Sequence, residues 1–132
     1  MRGLFGASMK NLIQIILGGA VGTVARYFVA GGVHKVLGHT FPYGTLTVNL
    51  IGCALLGVIV SVAESKFHLR PEIQALLVIG FCGAFTTFST FILDISHLVK
   101  AGDGLRAFTY LMMSVAIGFV AFRLGLILGD LF

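Results

Sequence analysis

Four apolar stretches, Leu12 to Ala30, Gly44 to Ala63, Ile73 to Val99 and Leu105 to Leu131, take up most of the chain and dictate its solvent. Each approximates the ~20 helical residues that cross a hydrocarbon core of about 30 Å. Charged residues make up 11% of the 132-residue sequence and hydrophobic ones 58%, with a mean hydropathy of +1.04. A water-facing domain carries roughly 25% charge, so lipid is the solvent of most of this chain. Unpaired backbone groups are too costly there, and no segment alternates as a membrane β-strand does. All four stretches are therefore predicted as helices of an all-α integral membrane protein. The segments between them, Gly31 to Tyr43, Glu64 to Glu72 and Lys100 to Gly104, hold Pro42 and Pro71 and leave no room for a soluble domain. Residues 1–132 read as one four-helix unit, with residues 1–10 as an N-terminal extension. Arg2 and Lys10 ahead of an apolar run imitate a secretory signal, but the run is long and lacks a cleavage site, so it is retained as the first span. Met9, followed by Lys10 and Asn11, is a second candidate start that would make Met1 to Ser8 dispensable.

The net charge of +4 and pI of ≈ 9.4 do not point to nucleic acid, because the nine Lys and Arg are scattered singly and read as interface anchors. Arg2, Lys10, Lys66, Arg70 and Arg123 fall on one side of the membrane, and Arg26, Lys35, Lys100 and Arg106 on the other. Such an even split supplies no orientation bias, so the chain is expected to insert both ways and pair as an antiparallel, dual-topology homodimer. Four short helices are also too few to enclose a pathway alone. Cys53 and Cys82 sit inside apolar runs as small hydrophobes, without disulfide or zinc spacing. Gly is 18 of 132 residues, a frequency that suits close helix packing in lipid.

Polar side chains in the spans carry the functional signal. Thr45, Asn49, Cys53, Gly57 and Ser61 recur every four residues as one small or polar stripe on the second span. Helix packing accounts for Cys53, Gly57 and Ser61; Asn49, at mid-span, serves either packing or a pathway. The third span reads Gly80-Phe81-Cys82-Gly83-Ala84-Phe85-Thr86-Thr87-Phe88-Ser89-Thr90-Phe91, more hydroxyl and glycine than an anchor needs. On a regular helix Thr86, Thr90, Asp94 and His97 share one face, and Phe81, Phe85, Phe88 and Phe91 the opposite one. Such sequence is also where a helix breaks at mid-membrane and frees carbonyls for a cation. The phenylalanines either pack or turn their positive ring edges to an anion, which they hold weakly enough to release. Arg26 either snorkels to the interface or draws anions into a vestibule. Tyr110 and Ser114, at i and i+4 on the fourth span, either extend a polar track or pack, and Gly125 with Gly129 form a small-residue helix contact. Asp94 and His97 are too few for a metal site, and His34, His39 and His68 are placed in loops without a role. No phosphate loop, nucleophile elbow or HExxH is present, and the chain is not expected to be an enzyme.

Taken together, Gly18-Gly19-Ala20-Val21-Gly22 with Arg26-Tyr27, Pro42-Tyr43-Gly44-Thr45-Leu46-Thr47-Val48-Asn49, Gly80-Phe81-Cys82-Gly83 and the Thr86 to Phe91 segment resemble the small fluoride channels called Fluc or CrcB, over nearly the whole chain. The resemblance implies antiparallel homodimers of four-helix subunits in the bacterial plasma (inner) membrane, with twin pores that passively export fluoride. It matches Asn49, Phe88, Phe91, Ser89, Thr90, Tyr110 and Ser114 to pore positions, and Thr45 and Asp94 to positions beside the pathway. It also implies a structural Na+ at the dimer centre, bound by the backbone carbonyls of Gly83 and Thr86. The chain departs from the family pattern at Ala84, where a second glycine is usual and where alanine resists left-handed geometry. The alternative is a small dual-topology multidrug or guanidinium exporter. That class resembles its own members in carrying a glutamate on the first span, where this chain has no acidic residue. A non-transporting scaffold, whose polar stripes only pack helices, is a third reading.

Overall fold

The computed structural model of the chain describes residues 9–64 and 69–131. Its helices group into four spans long and apolar enough to cross a membrane, Met9–Leu37, Tyr43–Glu64, Pro71–Lys100 and Gly104–Gly129. The chain is a multi-pass membrane protein.

The first helix, α1 (Met9–Leu37), runs past Ala30, where the apolar stretch fades, and takes His34 and Lys35 into its last turn. It stops at Gly38, whose φ of +81° suits only a residue without a Cβ, and whose N–H donates to the His34 carbonyl at 2.9 Å. The connection is thus shorter than the sequence suggests, and Met9 and Lys10, assigned to the N-terminal extension, open the helix instead. Residues 1–8, Lys66 and His68 lie outside the described residues. After Pro42 comes α2 (Tyr43–Glu64). The third span is composite: α3 (Pro71–Gln74), a π-helical segment Ala75–Cys82 and α4 (Gly83–Phe85), followed by α5 (Phe88–Lys100). The last helix, α6 (Gly104–Gly129), is capped by Asp103, whose carboxylate accepts from the Arg106 N–H and pairs with its guanidinium, both at 3.3 Å.

Glycine sets the two main seams. A Cβ on Gly18 would collide with the Leu76 carbonyl and the Phe81 amide, and one on Gly22 with the Phe81 carbonyl, so α1 and the π-helical segment meet backbone to backbone. Across the other seam Gly57 of α2 lies against Phe122 and Gly125 of α6, and Gly129 against Ser61, whose hydroxyl donates to Asp130. The stripe on α2 therefore divides: Gly57 and Ser61 face α6, Cys53 approaches Gly118, and Asn49 turns to the third span. Leu46, Phe91 and Tyr110 form the buried core. Large apolar side chains such as Phe28, Leu105 and Phe119 stay exposed, as helices that face lipid or a second copy must leave them.

Candidate functional site

Thr86 (φ −88°, ψ 162°) and Thr87 (φ −153°, ψ 119°) are extended between α4 and α5. Any residue adopts such angles, and Ala84 lies within α4, so the interruption demands no left-handed residue at that position. Two extended residues strand backbone groups that a helix would pair, and side chains take them up. Asn49 clasps Thr87 from α2: the Thr87 N–H donates to Oδ1 at 2.8 Å, and Nδ2 donates to the Thr87 carbonyl at 3.1 Å. The Arg26 guanidinium reaches the Thr86 carbonyl at 3.4 Å, and the Thr86 hydroxyl donates back to the Cys82 carbonyl at 2.9 Å. Thr87 caps α5, its Oγ1 accepting from the Thr90 N–H at 3.2 Å and lying 3.0 Å from Thr90 Oγ1 and 3.4 Å from Ser89 Oγ. The positive end of the α5 dipole is thereby presented at the interruption.

The interruption resets the helical register, which corrects the two-face arrangement expected from sequence. Phe81 and Phe85 stack before it, with centroids 5.6 Å apart. Beyond it Phe88 is 74% exposed while Phe91 is 5% exposed, so the phenylalanines form no single stripe. Phe88, Phe91, Tyr110 and Phe41 instead make a file of rings at 5.8, 5.0 and 5.4 Å, the last two contacts edge-on. At its buried end the Tyr110 hydroxyl donates to Asp94 at 3.3 Å, and Thr45 is in hydrogen-bonding contact with the same hydroxyl.

Asn49, Gly83, Thr86, Thr87, Phe88, Phe91 and Ser114 line one cleft of about 370 Å³. Within it the Ser114 hydroxyl is buried and, among the described residues, has no hydrogen-bond partner. Buried hydroxyls are rarely left without a partner, which singles Ser114 out among the polar groups of the cleft. Ser89 and Thr90 sit in the α5 cap, Tyr110, Thr45 and Asp94 lie at the far end of the ring file, and Arg26 touches the interruption from α1. Sequence reading gave no role to Thr87 or Phe41. Thr87 carries a faint signal, a threonine at the start of a helical run, and Phe41 carries none.

The carbonyls of Gly83 and Thr86, expected as cation ligands, differ in what occupies them. The Thr87 amide, which in a continuous helix would bond the Gly83 carbonyl, is turned to Asn49 instead, and the Thr86 carbonyl already faces a guanidinium. Gly83 itself is exposed, open to a neighbouring molecule.

Four spanning helices, the third interrupted beside a cleft that holds a buried unpaired hydroxyl, define a multi-pass membrane protein. The model of the family described as CrcB-like protein, Camphor Resistance (CrcB), matches residues 13–126. The Fluoride-specific ion channel FluC of Solidesulfovibrio magneticus is 44% identical over 123 residues, 93% of this chain and 98% of the relative. Those of Hahella chejuensis and Phocaeicola vulgatus are each 41% identical, over 92% and 89% of this chain and 95% and 97% of their own lengths. The chain belongs to the CrcB family.

Proposed function

We propose that this chain is the subunit of a fluoride-selective channel that passively exports fluoride and so lowers its toxicity in the cytoplasm. The observation that carries the reading is the unpaired, buried Ser114 hydroxyl in the cleft that Phe91 and Phe88 also line. A small anion leaving water keeps its free energy only where donors and positive ring edges replace its hydration. Ser114 offers an O–H, Asn49 the amide proton not spent on Thr87, and the α5 cap its dipole. None of these is a full positive charge, so the ion is held loosely and passes on. From the cleft the path follows Phe91 and Tyr110 toward Thr45 and Asp94, with Ser89 and Thr90 along it and Arg26 as the anion-attracting cation. The names of the relatives support the same reading.

The third span is read as broken at mid-membrane, and the subunit as one half of an antiparallel, dual-topology homodimer in the bacterial inner membrane. A partner copy would cover the exposed Phe88 and Gly83 and close the cleft into a pore. A structural Na+ at that centre would take the Gly83 carbonyl and compete with Arg26 for that of Thr86, and its charge would offset the cost of passing anions through low dielectric. The exporter reading lacks its carboxylate, since α1 contains no acidic residue.

Fluoride efflux from proteoliposomes holding the purified protein, followed by a fluoride electrode with the potential clamped by a potassium ionophore, tests the proposal. Rapid fluoride loss without chloride loss is the expected result. Folded protein that passes neither ion returns the chain to the scaffold reading.

A further inference from the structure

Outside the cleft, one group of titratable side chains has no part in the path described above. His34, His39 and His97 wall a concavity of about 240 Å³ together with Asp94, Thr40 and Phe41. The fold gathers them from separate elements. His34 stands in the last turn of α1 and stacks on His39 from the connection, with centroids 4.7 Å apart and planes 16° from parallel. His97 follows Asp94 by one turn of α5. Nδ1 of His34 lies 3.3 Å from the Gly38 carbonyl, and because a carbonyl only accepts, the neutral ring carries its proton there and takes a second at Nε2. A side chain on Gly44 would run into Nε2, so the ring is seated against the start of α2. The concavity adjoins the ring file twice: Asp94 accepts from Tyr110, and Phe41 packs edge-on against it.

We propose that this concavity is an anion-gathering vestibule of the conduction path, which captures fluoride when its imidazoles are protonated; the proposal rests on the channel reading. Imidazole is the side chain that changes charge between about pH 5 and 8. Two protonated rings in a stack repel each other, and an anion beside them relieves the repulsion, so proton uptake and anion capture are linked. Charged groups of both signs stand near the rings. Asp94 is the carboxylate of the wall, and one of its oxygens is committed to Tyr110. Lys35 follows His34 and Lys100 closes α5 three residues after His97. Tyr43 of α2 packs its ring on Phe41, and at the start of α6 Arg106 is neutralised by Asp103. Among the described residues, no three His, Cys, Asp or Glu are grouped to hold a metal ion.

Fluoride efflux at subsaturating concentration, buffered on both sides at about pH 8 and then about pH 6 to bracket the imidazole range, reads the vestibule directly once leak from protein-free vesicles is subtracted. The expected result is a several-fold rise on acidification that shrinks at high salt. In the double variant H39Q/H97Q, whose two sites are exposed and so spare the fold, the rise is lost. Efflux equal at both pH values, or a rise that survives the double substitution, overturns the vestibule and leaves the channel standing. Absence of protein-dependent efflux at either pH overturns the channel reading and the vestibule with it.

Discussion

Where α1 crosses the π-helical segment, backbone meets backbone through Gly18, Gly22 and Gly80, whereas at Thr86 and Thr87 the same span opens its backbone to Asn49, Arg26 and the cleft. The first region is packed so closely that a single methyl would displace a carbonyl. The second leaves the Ser114 hydroxyl without a partner. In lipid there is little hydrophobic gain between helices, so close glycine contact supplies the adhesion. An unpaired donor costs about 1–3 kcal/mol. The glycine seam thus supplies adhesion, while the cleft leaves a donor unspent.

The largest expected effect separates those two regions. Phe91→Ile removes the ring that meets Tyr110 edge-on while keeping an apolar filler, and efflux should fall to the rate of protein-free vesicles with the protein still eluting at its normal size. Undiminished efflux would remove the ring edges from the mechanism. Next, Asn49→Asp retains the acceptor for the Thr87 N–H, loses the donor to its carbonyl and adds a negative charge, so fluoride flux should drop strongly by like-charge repulsion. Flux at the wild-type level would place Asn49 off the path. On the adhesive side, Gly125→Val drives a side chain into the Ala54 carbonyl and should cost about 1–3 kcal/mol of stability in detergent melts, with fluoride selectivity intact in the protein that survives. A variant that melts normally would mean that α2 and α6 do not rely on this close approach.

Replacing sodium by a large organic cation probes the interruption without mutation. Dimer lifetime or flux should fall, and indifference to sodium would sink the assignment of Gly83 and Thr86. The smallest effect is expected of Tyr110→Phe, which deletes the contact with Thr45 and the hydrogen bond to the Asp94 carboxylate, the latter worth about 1.5–3 kcal/mol, and should lower flux several-fold without abolishing it.

Most of the architecture was legible in the residues. Runs of twenty or so apolar positions have one solution in lipid, and the spans lie within a few residues of where hydropathy puts them, α1 excepted. There the stop comes from Gly38, not from polarity, so His34 and Lys35 are helical although they read as loop. The cleft was legible only as a set of residue types. Asn49, Phe88, Phe91 and Ser114 were picked out one by one, but their meeting depends on the register change at Thr86, which no periodicity encodes, and the helical wheel drawn through that point put the phenylalanines on one face.

Hydropathy, charge scatter and glycine content by themselves determined that this chain is a bundle of membrane-spanning helices with polar groups held at depth, because lipid penalises every alternative locally, residue by residue. Only the tertiary structure decided which polar groups are spent and which are left over. Asn49, at the middle of a stripe that otherwise packs, is bound to both backbone groups of Thr87, while Ser114, which the sequence leaves open between packing and a polar track, has no partner among the described residues. Hydrogen bonding is satisfied across helices, between residues distant in the chain, and only the folded bundle settles which donors find acceptors.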